Sequence, residues 1–325
     1  MLPRPLLIVI AAGFAVLGAS AQALAQDYPN RPITLVVPFV PGGSTSTVAR
    51  IITDKMSAGL GQPIVIDNRG GAGSTLGARI VAKSAPDGYT ILMATNATLG
   101  TAPSIYPNVG YDARKDFAPL GLIGAVPNVI LVLPSHPAHS FAELIALAKS
   151  SRKAIEYGTP GIGTVTHLAG ELLARRAGIK LAHIPYRGAG PALNDLLGGH
   201  IPLLFSAVPN VHGHIESGTV RPLAVTSGKR SGLLPKVPTV AESGFPDFDM
   251  SLSFGFAAPA GTSRAIVERL NRELNAALAD DNVKRRLAAE GLELSHSTPE
   301  EHAADIEREE TKGSALVKAI GLKAK

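Results

Sequence analysis

The chain of 325 residues contains no cysteine and no tryptophan, and aromatic side chains make up only 5% of it. Without cysteine it forms no disulfide, carries no lipid on an N-terminal cysteine and has no thiol nucleophile. Scarce aromatic rings argue against a sugar site built on stacking. A chain of this length buries enough apolar surface to fold without disulfides, and the length predicts about two domains.

Charge and missing motifs exclude further classes of protein. The chain carries 31 basic and 26 acidic residues, a formal net charge of +5, without the basic and aromatic runs of a nucleic-acid surface. A mildly basic surface suits small acidic ligands. The Gly-x-Ser-x-Gly nucleophile elbow, the His-Glu-x-x-His zinc motif and the phosphate-binding Gly-x-x-x-x-Gly-Lys-Ser/Thr loop are all absent from the sequence.

The first residues are typical of a secretory signal peptide, predicted to span residues 1–25. A basic residue precedes an apolar run, 6–17, that is short for a membrane span, so a membrane anchor is the weaker interpretation. An Ala-x-Ala motif at 23–25 predicts cleavage before Gln26, with cleavage after Ala21 as the alternative. We therefore expect a periplasmic protein, soluble outside the inner membrane.

Strand and helix patterns alternate through the rest of the chain, which predicts an α/β fold with parallel sheets covered by helices on both faces. Two such series predict two lobes, the first formed by 26–123 with 250–325 and the second by 124–249. A ligand cleft is expected between them. The Pro- and Gly-rich segment 100–120 predicts an irregular connection, and we expect 315–325 to be a frayed end.

Several strands run into short glycine-rich loops that begin helices, at 41–44, 68–74 and 158–164. Glycine lets backbone N–H groups approach a ligand, and a helix N-terminus adds a partial positive charge. At the carboxyl ends of parallel strands, such loops and their hydroxyls suit a small anion. Arg187 either adds a two-pronged contact or is an ordinary surface arginine. Each loop taken singly is equally well explained as an ordinary turn.

The sequence predicts neither a metal nor a cofactor. Two histidine pairs, at 212/214 and 136/139, lack further ligands at a suitable spacing, which favours solvent-exposed loop histidines. Gly161-Ile162-Gly163 begins a dinucleotide-binding fingerprint, but Thr166 stands where its third glycine belongs.

Ten stretches of the sequence carry a joint resemblance to one family. They are 28–33, 37–43, 67–73, 86–90, 115–119, 157–161, 167–168, 185–188, 223–227 and 237–242. From about residue 28 to 310 the chain resembles the substrate-binding proteins of the tripartite tricarboxylate transporter system, also called Bug receptors.

The resemblance implies a two-lobed periplasmic binding protein fold, type II-like, with two parallel-type sheets and a cleft that closes around a small organic acid. It also implies membrane transporter components as partners. The ligand-binding residues it implies in the first lobe are Phe39, Pro41, Gly42, Gly43, Ser44 and Thr95. Those it implies in the second lobe are Gly158, Thr159, Gly163, Thr164, His167, Arg187 and Ser206.

Four positions depart from the family pattern. Ser46 replaces a usual aspartate, Gly70 a common proline, Pro202 a usual acidic residue, and Phe254 an aromatic position that is often tryptophan. Ser46 can still cap a helix, so we expect the fold to survive and the choice of ligand to be affected.

We therefore predict a non-catalytic, monomeric periplasmic receptor that delivers a small carboxylate to a tripartite transporter. One alternative is a secreted α/β hydrolase-like enzyme, for which His167 near Ser206 is the only nucleophile–base pairing the sequence offers. Another is a receptor that reports its ligand to a signalling partner. A dicarboxylate, tricarboxylate, aromatic acid, amino acid or nicotinate-like acid all remain candidate ligands.

Overall fold

The computed structural model describes residues 28–39, 41, 44–106 and 108–322. The predicted signal peptide with its cleavage site, and the predicted ligand residues Gly42 and Gly43, lie outside these residues, and the side chain of Ser44 is likewise not described.

The strands are short, as is usual in α/β proteins. They are β1 Ile33–Val37, β2 Ile64–Asn68, β3 Thr90–Thr95, β4 Phe117–Val126, β5 Asn128–Val132, β6 Ile155–Thr159, β7 Leu181–Pro185, β8 Leu203–Ala207, β9 Arg221–Val225, β10 Leu252–Pro259 and β11 Glu293–Leu294.

Helices connect most of these strands. They are α1 Ser44–Leu60, α2 Thr75–Ala82, α3 Ala102–Ile105, α4 Phe141–Ser150, α5 Val165–Ala177, α6 Ala189–Leu197, α7 Val208–Glu216, α8 Arg264–Ala279, α9 Asp281–Ala289 and α10 Pro299–Ile320. A π-helix, Asn96–Thr101, joins β3 to α3, and a single 3₁₀ turn, Ala72–Ser74, precedes α2.

The strands form two sheets, which confirms the two-lobed α/β fold class. The first has the order β11-β4-β10-β3-β1-β2 and the second the order β7-β6-β8-β5-β9. In the first sheet α1, α8 and α9 pack on one face, while α2, the π-helix and α10 pack on the other. In the second sheet α4 and α5 cover one face, and α6 and α7 the other.

Both sheets are mixed, whereas parallel pairing was expected. β1 pairs in parallel with β2 and β3, and β6 with β7 and β8, but β10 runs antiparallel to β3 and β4, and β5 antiparallel to β8 and β9. The reason is the route of the chain. Only Pro127 separates β4 from β5, so the chain runs directly from one sheet into the other without the crossover helix that parallel neighbours need.

Several helix starts follow the sequence closely. The Ser140 hydroxyl accepts a hydrogen bond from the Glu143 backbone N–H, as its capping spacing predicts. Thr298 and Glu301 form a complete capping box at the start of α10, each side chain bonding the other residue's backbone N–H. These local contacts fix where α4 and α10 begin.

Two predictions of irregular structure are wrong. Part of the segment 100–120 is helical, because the π-helix and α3 continue directly from β3. The predicted frayed end is also ordered as far as Ile320, and the side chains of Leu316 and Val317 are buried in the core cluster of the second sheet. α10 therefore begins on the first sheet and ends against the second.

None of the helices in the described part of the chain is long and apolar enough to cross a bilayer.

Replacing Leu316 with alanine should lower the free energy of unfolding by about 2–4 kcal/mol, because a buried leucine leaves a cavity in the core. Urea unfolding followed by circular dichroism measures the change. Lys318→Ala, an exposed position two residues further along α10, is the matched control and should change the value by less than about 0.5 kcal/mol. Equal, small effects of both substitutions would contradict the docking of α10 on the second lobe.

Candidate functional site

The loop between β1 and α1 is tied to the end of the neighbouring strand β2. The Asn68 side-chain amide donates to the Phe39 carbonyl at 2.9 Å and to the Ser46 hydroxyl at 2.8 Å. Phe39 is half-buried and Pro41 is exposed. Ser46, which replaces a usual aspartate, thus accepts a hydrogen bond that helps to hold the loop in place.

A chain of buried hydroxyls lies at the carboxyl end of β3. The Thr95 hydroxyl lies 2.8 Å from the Thr98 hydroxyl and accepts from the Thr98 backbone N–H at 3.1 Å. Thr98 in turn donates to the Ser74 hydroxyl at 2.9 Å. Thr95, a predicted ligand residue, is therefore engaged within the protein. Sequence reasoning missed Thr98, because it lies in the π-helix, next to the segment expected to be irregular.

The loop between β6 and α5 is closed by its own threonines. Thr164 is the N-cap of α5, accepting from the His167 N–H at 3.3 Å, and its hydroxyl donates to the Gly161 carbonyl at 2.8 Å. The fully buried Thr159 accepts from the Gly161 N–H at 3.3 Å. Gly163 has φ of 77°, a conformation that residues with a side chain rarely adopt.

Two histidines support this loop from beneath. The Gly163 N–H donates to His167 Nδ1 at 3.1 Å, and the His167 ring stacks on His183 with centroids 3.8 Å apart. His183 Nε2 lies 2.6 Å from the Thr159 hydroxyl. Burial, with nearby His183 as the second cause, lowers the pKa of His167 to about 3, and burial lowers the pKa of His183 to about 4. Both rings are therefore neutral at neutral pH.

His183 was not among the predicted site residues. It sits within β7, a strand with no glycine-rich loop at its start, and its partner ring lies sixteen positions earlier in the chain. The only signal in the sequence was the polar side chain in the middle of an apolar strand, a position that requires a buried partner.

Arg187 and Gly158 have different surroundings from the loop. Arg187 is exposed after β7 and makes no ion pair or hydrogen bond with the described residues. Gly158 is buried within β6, where a β-carbon would lie only 2.5 Å from Ile201 Cδ1. Gly158 therefore lets the sheet pack closely, while Arg187 remains free to bind.

Ser206 lies on the opposite face of the second sheet from His167. Side chains alternate along β8, so Ser206 shares the face of Leu204, whereas Phe205 packs with Tyr157 and the helix that carries His167. The His167 ring contacts Gly163 and His183 instead. These two residues therefore do not form the nucleophile–base pair that a hydrolase would need.

The two lobes approach each other beside the loop. A β-carbon on Gly163 would lie 3.0 Å from the Ile105 Cδ1 atom of α3, the helix that follows β3 and the π-helix. The structure thus brings Thr159, Gly163, Thr164 and His167 into one hydrogen-bonded loop, and places the β3 side of the first lobe next to it.

The two crossings between the lobes are bonded to each other. The Met250 carbonyl accepts from the Asn128 side-chain amide and from the Thr226 hydroxyl, both at 2.8 Å. The Met250 N–H donates to the Thr226 carbonyl, and the Thr226 N–H to the Asn128 carbonyl. One crossing therefore cannot move independently of the other.

Asn96 joins the same crossing to the end of β3. Its amide nitrogen donates to the Ser251 carbonyl at 2.8 Å and to Glu309 of α10 at 3.2 Å. Its amide oxygen accepts from the Ser253 N–H at 3.3 Å. Asn96 follows Thr95 directly, so the crossing at Ser251 lies next to the carboxyl end of β3.

Of the departures at Phe254 and Pro202, only Pro202 lies away from the predicted site. Phe254 pairs with Thr95 across the sheet, but its side chain is fully buried in the first core. Pro202 is exposed just before β8, at the opposite end of that strand from Ser206.

Two α/β lobes, joined by paired crossings and with the glycine-rich β6–α5 loop of one beside α3 of the other, define the class of periplasmic solute-binding proteins. Residues 48–322 match the family described as the tripartite tricarboxylate transporter family receptor. The chain belongs to this family, as its motifs indicated, and is a solute receptor of the tripartite transporter type.

Three solved structures are similar over nearly the whole chain. The periplasmic binding protein BugD is 38% identical with a TM-score of 0.77, covering 91% of this chain and all of BugD. R. palustris Rpa4515 with adipate is 36% identical with a TM-score of 0.80, covering 91% of this chain and 100% of that one. MatC (Rpa3494) of Rhodopseudomonas palustris with bound malate is 33% identical with a TM-score of 0.76, covering 89% and 100%.

Replacing Asn96 with alanine should lower the free energy of unfolding by about 1–3 kcal/mol, because it leaves the hydrogen-bonding groups of the crossing strand unpaired. Chemical unfolding of the variant measures the loss. Asn194→Ala, at an exposed helix position, should leave the stability unchanged. An Asn96 variant as stable as the Asn194 variant would show that the bridge contributes nothing.

Stability should fall as the pH drops below about 6.5, because unfolded histidines take up protons there while buried ones do not. His167, His183 and His302 have pKa values lowered to about 3, 4 and 4 mainly by burial, so their contribution is complete above pH 6.5 and declines towards pH 4. Each contributes a slope of about 1.4 kcal/mol per pH unit.

Urea unfolding at pH 7.5, 6.5, 5.5 and 4.5 measures this slope. His183→Gln should reduce the slope of stability against pH by the amount that corresponds to one bound proton. His139→Gln, at an exposed histidine, should not change the slope. Identical slopes in the wild type and the His183 variant would contradict a neutral, half-buried His183.

Proposed function

We propose that this receptor binds a small organic carboxylate between its lobes and delivers it to the membrane components of a tripartite transporter. One observation carries the proposal. The backbone N–H groups of Thr164, Val165 and Thr166 have no hydrogen-bond partner among the described residues, and they point out of the start of the 13-residue helix α5. Converging N–H groups at a helix start bind anions without a paired cation.

The proposed site combines loops of both lobes. From the first lobe it takes Phe39, Pro41, Gly42, Gly43, Ser44 and Thr95, and from the second Gly158, Thr159, Gly163, Thr164, His167, Arg187 and Ser206. Within this set the hydroxyls of Thr95 and Thr159 already bond protein atoms. We therefore assign these two residues to holding the loops in place, and the backbone N–H groups to contacting the ligand.

The relatives favour a dicarboxylic acid among the candidate ligands. Adipate and malate, which accompany two of the similar structures, both carry two carboxylates. One carboxylate would bind the N–H groups of the β6–α5 loop. Arg187, exposed and unpaired within the described part of the chain, offers a guanidinium for the other.

We infer that the lobes consist of 26–123 with 250–325 and of 124–249, with the last turns of α10 packed against the second lobe, and that binding closes them about the two crossings. The bonds among Asn128, Thr226 and Met250 support such a hinge, because both crossings then turn together. We further propose removal of residues 1–25 before Gln26 and a monomeric receptor. N-terminal sequencing of the periplasmic protein and size-exclusion chromatography with light scattering check these two points.

A thermal-shift screen of the mature protein against dicarboxylic, tricarboxylic, aromatic and amino acids tests the ligand class. A ligand at ~100 times its dissociation constant adds about 2.7 kcal/mol of stability, which raises the melting temperature visibly. We expect adipate, malate or a related diacid to give the shift and to be recovered unchanged. A folded protein that no acid stabilises would contradict the proposal, and consumption of the acid would favour the enzyme.

Arg187→Ala should weaken binding of the dicarboxylate that emerges from the screen by about 10- to 100-fold, the usual cost of losing a hydrogen bond to a charged group. Isothermal titration calorimetry measures the dissociation constant. Arg152→Ala removes another exposed arginine of the second lobe and should bind like the wild type. Equal affinities of the two variants would remove Arg187 from the site.

A further inference from the structure

We propose that His183, acting with His167 as a stacked pair of neutral imidazoles, is a positioning residue that holds the β6–α5 loop in its anion-binding conformation. The inference rests on the proposed function, because it assigns to this pair the orientation of the loop that would bind the carboxylate. Neither ring is assigned a contact with the ligand.

Each ring fixes a different part of the loop. His183 Nε2 lies 2.6 Å from the hydroxyl of Thr159, which itself accepts from the Gly161 N–H. His167 Nδ1 accepts from the N–H of Gly163 at 3.1 Å. The rings lie 3.8 Å apart with an angle of 19° between their planes, so neither can shift without moving the other. Gly161 and Gly163 are thereby held at two points by one rigid stack.

The contact with Gly163 requires a defined tautomer. A backbone N–H only donates, so His167 Nδ1 carries no proton and the neutral ring keeps its proton on Nε2. That atom faces Glu171 Oε1 on the same helix at 3.8 Å. The Tyr157 hydroxyl donates to the same carboxylate oxygen at 2.8 Å and lies 3.2 Å from the His167 carbonyl oxygen.

Burial keeps the pair neutral, although a carboxylate lies close to it. Glu171 from α5 and Tyr157 from β6 face His167, and the His183 ring on β7 lies 5.1 Å from the Tyr157 ring. The residue of β8 that contacts Tyr157 is Phe205, which is apolar. Two protonated rings would repel each other across 3.8 Å, and protonation of His167 Nδ1 would remove the acceptor for Gly163.

The pair also determines which backbone N–H groups are available to bind a ligand. The Gly163 N–H donates to His167 Nδ1, and the His167 backbone N–H donates to the Thr164 hydroxyl. The free donors therefore begin at Thr164 and end at Thr166. If the support were lost, Gly163, with φ of 77°, would be released and its N–H would compete for the anion. The stack thus determines both the conformation of the loop and which of its N–H groups face the ligand in the proposed site.

The experiment separates this inference from the proposed function by using the free protein first. Long-range ¹H–¹⁵N NMR of histidine-labelled mature protein, from pH 7.5 to 4.0, reports the tautomer and protonation of each ring without any ligand. We expect His167 to carry its proton on Nε2, and both rings to stay neutral until well below pH 5. His139, which is exposed, serves as the internal control. A proton on His167 Nδ1, or titration of either ring near pH 6.5, would overturn the proposal.

Variants of His183 then test the consequence for binding, with adipate and malate as probes at pH 7.5. His183→Phe keeps an aromatic ring for the stack but loses the contact with Thr159, and should weaken binding at least tenfold. His183→Gln restores a polar group towards Thr159 and should recover part of that loss. His139→Gln should bind like the wild type.

A folded His183→Phe variant with wild-type affinity would overturn the inference. If that variant does not fold, the glutamine variant and the NMR titration decide. If the wild type binds neither acid, the proposed ligand class fails, while the tautomer measurement still confirms or overturns the positioning role.

Discussion

The peptide at Met250 is the point on which the arrangement of the whole molecule depends. Its carbonyl accepts two side-chain hydrogen bonds and its N–H bonds Thr226, so the returning chain is fixed against the outgoing chain at Asn128. Because both donors are buried, loss of either would leave the carbonyl short of a partner in a place that water does not reach easily. Together with α10, which packs on both sheets, this junction holds the two lobes against each other.

Neutral groups make up the described hydrogen-bonding networks at the ends of β3 and β6. In the first network the hydroxyls of Thr95, Thr98 and Ser74 bond one another. In the second, Thr159 bonds His183, whose ring stacks on His167, so neither set of contacts requires a buried ion pair. An arrangement of this kind binds an anion through backbone N–H groups that are already oriented. It also explains why the sequences of these loops carry no pattern of catalytic acids or metal ligands.

Local features of the fold could be predicted from the sequence, and long-range ones could not. The caps at Ser140 and Thr298 act through neighbours three residues away, and the chain pattern marks them clearly. The antiparallel course of β5 and β10 depends on where the chain crosses between sheets, which no short pattern encodes. The burial of Leu316 is likewise set by a core whose other members lie far away in the chain.

The same distinction applies to the candidate site. Glycines and threonines of the β6–α5 loop stand out in the sequence because turns need them. His183 and Asn96 do not, since each becomes significant only through partners brought together by folding. The sequence also suggested pairing His167 with Ser206, a pairing that the alternation of side chains along β8 prevents.

The course of α10 has a practical consequence for measuring the distance between the two lobes in solution. The last turns of α10 are buried against the second lobe, although the helix starts on the first sheet. A fluorophore fused to the C-terminus would therefore report the position of the second lobe. Since the chain has no cysteine, a single thiol introduced on the first lobe would be a unique attachment point for the matching dye, giving an optical sensor for the bound solute.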